Sequence, residues 1–234
     1  QNVVKEQIVT SGEKILTQFF GLLERRMEDV IEDAYEVVEN PEVIRYAKLN
    51  AKDPMMYAYY PIYLQVGLRQ YAPEGVKDMF VWYAYEKIVS ARNPSLPIED
   101  YYNMFHTEIE REEFYHVVKN STIVPSFTRL DSDGTQYLCL SLRQNGTKIK
   151  EHDFSVNMIF EQKWFELLFT EGGLGKDENF LMYDGEGKLL FSHKPEKMNY
   201  LSEEYRYQGT YELKEDGEKY LILVQESKAI KGCY

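Results

Sequence analysis

Apolar residues recur through the start of the chain at Val4, Ile8, Ile15, Phe19, Leu22, Leu23, Val30, Ala34 and Val37. Their steps of mainly three, four and seven are those of one helix face. The pattern continues to Val38 without a proline, and Asn40-Pro41 ends it. A helix over 1–38 at about 1.5 Å per residue is a rod of roughly 55 Å. That is far longer than an ordinary globular helix, so the rod is expected to span more than one subdomain or to pair with a second copy.

Asn40-Pro41 and Asp53-Pro54 each set a capping residue before a proline, the order that opens a helix. The second helix covers "PMMYAYYPIYLQVGLRQYA", with Pro61 predicted to kink or break it. In "VKDMFVWYAYEKIVSA" the pattern changes to period two, with Met79, Val81, Tyr83 and Tyr85 on one face and Phe80, Trp82 and Ala84 on the other. Both faces are apolar or aromatic, which predicts a central strand covered on both sides. "RNPSLP" is a loop. "IEDYYNMF" and "EIEREEFYHVVKN" are helical, the latter acidic early and basic late. "TIVPSFTRL", "TQYLCLSLRQ" and "DFSVNMIFE" are strands, with turns at Asp133-Gly134 and Asn145-Gly146. Together these elements predict an α+β domain, an antiparallel sheet with helices packed on it. After them come a short helix, "QKWFELLF", a glycine-rich break, "TEGGLGKDEN", and a hairpin, "FLMYDGEGKLLFS". Two more strands, "EEYRYQGTYELKED" and "GEKYLILVQESK", are joined at Asp216-Gly217. This last part predicts a second, smaller sheet that leans on the N-terminal helix.

Composition narrows the function classes. With 44% hydrophobic and 28% charged residues the 234-residue chain is globular, not disordered. A net charge of -12 repels phosphate backbones and anionic lipid, so no nucleic-acid partner is expected. The 2 cysteines, Cys139 and Cys233, lack the spacing of a disulfide framework or a zinc site, and Cys139 is expected to be a buried thiol. No apolar run reaches the length of a membrane span. "GGLG" at 172–175 follows a helix and is a linker, not a dinucleotide loop. His106, His116, His152 and His193 have no ligand spacing and are expected at the surface. "EIEREE" is a solvated helix face. With no nucleophile motif and no metal cluster, no catalytic residue, metal or cofactor is expected, and the chain is not expected to be an enzyme.

Aromatic density between Phe80 and Tyr115, in a chain with 20 tyrosines, is the main candidate for function. Tyrosine hydroxyls set against an apolar wall orient small ligands. The candidate ligand-binding residues are Trp82, Tyr83, Tyr85, Tyr101, Tyr102, Phe105 and Tyr115. Glu99, Asp100, Ser126, Arg129 and Asp131 are polar groups near enough in sequence to line the mouth.

The order of these elements resembles the extracellular double Cache sensor, a pair of Per-Arnt-Sim-like subdomains. It is most like the version on membrane receptors of Gram-positive bacteria, either sensor histidine kinases or AraC-type regulators. The stretches that carry the likeness are "VKDMFVWYAYEKIVS", "DFSVNMIFEQKWFELLF" and "FLMYDGEGKLLFS". The resemblance implies a long helix over 1–38, a membrane-distal subdomain over 39–169 and a membrane-proximal one over 170–234. It implies an excised piece of a membrane-anchored protein on the outer face of the cell, with a transmembrane helix on either side and a last strand cut short after "YLILVQES". It also implies a homodimer through the N-terminal helix and an unknown small-molecule ligand in the distal half. Amino-acid binders of the family carry an Arg-x-Trp-Tyr segment, and the nearest match here is "EDYY" with Glu99 at the arginine position. An acid there favours a neutral, sugar-like or cationic ligand over an amino acid. The alternative from another class is a cell-surface adhesion or protein-interaction module, with the tyrosines at its interface.

Overall fold

The computed structural model describes residues 2–49, 54–132, 135–144, 152–175, 178–194, 207–215 and 218–229. The predicted cap at Asp53, the turns at Asp133-Gly134, Asn145-Gly146 and Asp216-Gly217, and the end of the chain lie outside these residues. The chain divides into two compact units. One is Asp29–Trp164, and the other joins Gln1–Glu28 to Phe165–Tyr234.

The amphipathic rod is helix α1, Asn2–Glu39. Its residues up to Glu28 belong to one unit and those from Asp29 on to the other. Asn40 then takes an extended backbone, and its Oδ1 accepts from the Glu42 N–H at 2.8 Å, so α2 starts at Pro41 and runs to Lys48. This is the cap that the Asn-Pro pair predicts. Helix α3, Pro54–Tyr71, continues through Pro61, where a kink or break was expected.

The larger unit is built on a 6-stranded sheet. Strands β1 (Val76–Tyr83), β2 (Lys87–Ser90) and β3 (Leu96–Pro97) precede helices α4 (Ile98–Phe105) and α5 (Arg111–Lys119). Strands β4 (Ser126–Ser132), β5 (Thr135–Arg143) and β6 (Phe154–Glu161) follow them. The order is β3-β2-β1-β6-β5-β4, and every pairing is antiparallel. The stretch predicted as one long strand is therefore a hairpin, β1–β2. Its turn has no glycine, proline or asparagine to announce it. Glu86 takes a left-handed backbone, φ 63, and its N–H closes the turn on the Tyr83 carbonyl at 2.9 Å.

Alternation sorts the sheet into two buried faces. Phe80, Trp82, Ile88, Leu130, Tyr137, Cys139 and Ile159 share one face with Tyr101 and Tyr102 of α4 and Phe114, Val117 and Val118 of α5. On the opposite face Tyr83 meets Tyr46 of α2 edge-on, with ring centroids 5.0 Å apart, and Tyr46 in turn stacks on Tyr57 and Tyr60 of α3.

In the second unit Phe19 of α1 packs on Phe169 of α6 (Gln162–Gly172) and on Phe180, with centroids 5.5 and 5.2 Å apart. A Cβ on Gly172 would stand 2.6 Å from the Phe19 ring, so only glycine lets these chains approach so closely. Gly173, at φ 72, then ends the helix in the left-handed conformation. The glycines read as a linker thus do packing and capping work. Strands β7 (Leu181–Tyr183) and β8 (Leu189–Ser192) form one two-stranded ladder, and β9 (Gly209–Glu215) and β10 (Glu218–Val224) another. They were expected as a single sheet. Between β7 and β8, Asp184 Oδ1 accepts from the N–H groups of Glu186 and Lys188 at 2.9 and 2.8 Å, an Asx turn.

Within the larger unit, Asp33 of α1 sits beside three other acids. Burial raises its pKa first, and the charges of Glu36, Asp29 and Glu32 raise it further. A raised carboxylate favours the fold when protonated, so its contribution falls as pH climbs from the ordinary value through the raised one. Asp33→Asn is therefore expected to raise the melting temperature at pH 7 and to change nothing near pH 3. A calorimetric melt at each pH checks this, and a lowered melting temperature at pH 7 would contradict it.

Candidate functional site

Along β1, Asp78 is the one acid in a run of buried apolar residues, and it falls on the same face as Phe80 and Trp82. Its side chain is fully buried. A carboxylate in such a place must be hydrogen-bonded. The Tyr101 hydroxyl of α4 donates to Asp78 Oδ2 in a short contact. His106, at the C-terminal cap of α4, brings Nε2 to 3.2 Å from the same oxygen and is itself fully buried. The other oxygen, Oδ1, lies 4.0 Å from Arg92 Nε and takes no hydrogen bond among the described residues. Burial raises the Tyr101 pKa well above the phenol range, and the nearby Asp78 charge raises it further, so its proton stays in place to be donated.

Aromatic rings close around these groups. Phe80 lies 5.2 Å from Tyr101 and 5.9 Å from Phe114 by centroids, and His106 stacks on Phe114 at 5.3 Å. Phe105 meets Tyr101 at 5.2 Å, and the Arg92 guanidinium stands 5.8 Å above the Phe105 ring. The site is a carboxylate in an aromatic box, a construction that suits a cation.

Arg92 belongs to a tightly built loop. Ser90 Oγ accepts from the N–H groups of Arg92 and Asn93 at 3.1 and 2.9 Å, and Asn93 Oδ1 accepts from Ser95 N at 3.0 Å. Arg92 Nη2 donates to the Lys77 carbonyl at 2.7 Å. One residue earlier, the Ala91 carbonyl accepts from Arg69 Nε of α3 at 2.8 Å and from Gln65 Nε2 at 3.4 Å. Beside the site the Lys77 ammonium sits 2.5 Å from Glu108. Burial alone would lower the Lys77 pKa, but the pairing with Glu108 outweighs it and the value is raised.

A second polar group crosses the same face. Ser141 Oγ donates to Asn157 Oδ1 at 2.9 Å, and Asn157 Nδ2 donates to Ser155 Oγ at 3.0 Å. Ser155 Oγ donates to the Val118 carbonyl at 3.2 Å, and Arg143 Nη2 donates to that of Lys119 at 2.8 Å. These residues satisfy the last carbonyls of α5, so their role is to anchor that helix.

Of the residues expected to form a pocket, the fold brings together Trp82, Tyr101, Tyr102, Phe105 and Tyr115 on the α4–α5 face. Tyr102 donates to the Ile109 carbonyl at 2.6 Å. Tyr83 and Tyr85 stack on each other at 5.5 Å and both pack on Tyr46, so they belong to the opposite face. Glu99 is 62% exposed and pairs with Arg111 at 3.1 Å. It does not guard the box, and the objection to a ligand carboxylate that its charge raised loses its basis. Ser126, Arg129 and Asp131 stand on edge strand β4, with β5 and β6 between them and β1. Arg129 pairs with Asp131 at 2.7 Å, and alternation turns both away from the face that Leu130 shares with Trp82.

Asp78, Arg92 and His106 were not among the expected site residues, and His106 was expected at the surface. An acid in phase with Phe80 and Trp82 on a buried strand was the available signal. Among the described residues no three His, Cys, Asp or Glu side chains gather as metal ligands, and no helix is long and apolar enough to cross a membrane.

No family model and no curated protein matches the chain. The fold matches the extracellular domain of the histidine-kinase candidate rpHK1S-Z16 with a TM-score of 0.58 at 15% identity, over 97% of this chain and 92% of that one. It also matches the ligand-binding domain of the Pseudomonas aeruginosa PAO1 amino acid chemoreceptor PctC, solved with GABA. There the TM-score is 0.51 at 14% identity, over 98% and 95% of the two chains. The likeness is one of fold, the α+β arrangement of a long helix followed by an antiparallel sheet. The DGEG hairpin lies in the unit that lacks the six-stranded sheet.

Removing the Tyr101 hydroxyl leaves the buried carboxylate short of a donor. Tyr101→Phe is expected to cost about 1–3 kcal/mol in urea unfolding. Tyr115→Phe, on a half-buried ring, is expected to cost far less.

Proposed function

We propose that this chain is the extracytoplasmic sensing domain of a membrane-anchored receptor. It binds a small ligand carrying an ammonium group at Asp78, in the box between the six-stranded sheet and α4–α5. The observation that carries this reading is the buried carboxylate ringed by Phe80, Tyr101, Phe105, His106 and Phe114, with a cation of the protein's own, Arg92, at its open oxygen. The fold likeness to a chemoreceptor domain solved with GABA, itself an amine, supports the same class.

The Arg92 side chain is 44% exposed, against a fully buried Asp78. An entering ammonium takes its place beside Asp78 Oδ1, and the guanidinium swings outward. In a zwitterionic ligand the carboxylate then meets the displaced guanidinium, which offers planar paired donors. No bond is made or broken, so the chemistry is recognition and the output is a change in loop 91–95. Such a shift needs only a ligand that prefers one arrangement over the other. The long helix shared by the two units is the element placed to carry the difference onward.

Thermal-shift screening against primary amines, amino acids, sugars and organic acids tests this. An amine or amino acid at 100 times its dissociation constant is expected to add about 2.7 kcal/mol, and Asp78→Asn is expected to abolish the gain. Arg92→Ala removes the competing cation and is expected to tighten amine binding about fivefold, the worth of a partly exposed ion pair. Stabilisation by sugars alone, or an amine response that survives Asp78→Asn, would overturn the proposal.

A further inference from the structure

Helix α3 turns one side to the sheet and leaves the other bare. Met55, Tyr59, Tyr63 and Val66 are 71%, 67%, 65% and 53% exposed, and Ile62 beside them is 49% exposed. Residues 55, 59, 62, 63 and 66 follow the three-and-four spacing of a single helix face. The inner face buries Leu64 and Leu68.

Large side chains carry on the order of 150–250 Å² each, so at these exposures the stripe presents roughly 600 Å² of mostly apolar surface. That is at the upper limit of the largest patch on an ordinary monomer. Two such faces pressed together bury roughly 1,200 Å², the lower bound for a specific interface.

Charge decides what fits. The chain carries -12 overall, so two copies repel across most approaches. Helix α3 is the exception. Between Pro54 and Tyr71 it has no carboxylate, and its lone charge, the exposed Arg69, donates to the Ala91 carbonyl. Self-association was expected instead along α1, but the second half of that helix exposes Asp29, Glu32 and Glu36, with Asp33 among them. A parallel pairing there sets like charges against each other.

We propose that the outer face of α3 is an interface with a second copy of this chain. A two-fold axis passes near Tyr59 and Tyr63, and α3 packs antiparallel on its partner. The two tyrosines are its anchors, since they bring large area and few rotatable bonds. This inference stands apart from the ligand reading and survives its failure.

Sedimentation velocity on the whole chain tests it. A dimer is expected at about 100 µM, above the micromolar range where interfaces of this size hold. Tyr59→Glu with Tyr63→Glu is expected to weaken it at least tenfold, while far-ultraviolet circular dichroism and the melting temperature stay within error. In a second variant, Ile62→Cys is expected to trap a covalent dimer under oxidising conditions. A monomer throughout the range, or a dimer indifferent to the double substitution, would overturn the proposal. So would a monomer that binds vesicles of phosphatidylcholine and phosphatidylglycerol through the same residues, since the stripe would then serve a lipid surface.

Discussion

The placing of one buried carboxylate organises the larger unit. Asp78 sits on a central strand, walled by aromatic rings, where an unpaired charge would unfold the sheet locally. Its partners come from three separate pieces of chain. Tyr101 lies on α4, His106 at the end of that helix, and Arg92 on the loop after β2. Satisfying Asp78 thus fixes where α4 begins to turn over the sheet, where it stops, and where the preceding loop returns. The ladder from Ser141 through Asn157 and Ser155 does the same for the end of α5. Apolar burial holds the layers together, and these two polar groups set their register.

The elements that were legible in the sequence are those with a local cause. Nine apolar positions in helical phase gave α1, and an asparagine before a proline gave α2. Alternation gave β5 and β6 to within a residue or two. The β1–β2 hairpin was hidden because Glu86 adopts a left-handed backbone without the residues that usually mark one. The candidate site was half legible. Composition pointed to aromatic residues between Phe80 and Tyr115, and five of those named do share a face. Period two had already set Tyr83 opposite Trp82, but aromatic density alone grouped both into one pocket. Neither signal could find Arg92 or His106, which reach Asp78 only through the paths of a loop and a helix end.

The two units differ in how they are stabilised. The larger has a sheet covered on both faces. The smaller has two short ladders, and its aromatic core relies on Phe19 of α1 meeting Phe169 and Phe180. Glu24 of α1 adds a further tie, since its Oε2 accepts from the N–H groups of Lys228 and Ala229 at 2.7 and 2.9 Å. Helix α1 is therefore a structural requirement of the smaller unit as well as a connection between the two.

The Ala91 carbonyl, gripped by Arg69 and Gln65, has a thermodynamic consequence. Were loop 91–95 to follow the guanidinium outward, as proposed, the motion would reach α3, because the peptide just upstream of Arg92 is tied to that helix. If both proposals hold, a ligand that displaces Arg92 and a contact that loads the outer face of α3 would act on one mechanical element from its two ends. Linkage is reciprocal for binding free energies. Whatever factor the ligand applies to self-association, self-association must return to the ligand, so affinity at Asp78 would become a function of protein concentration.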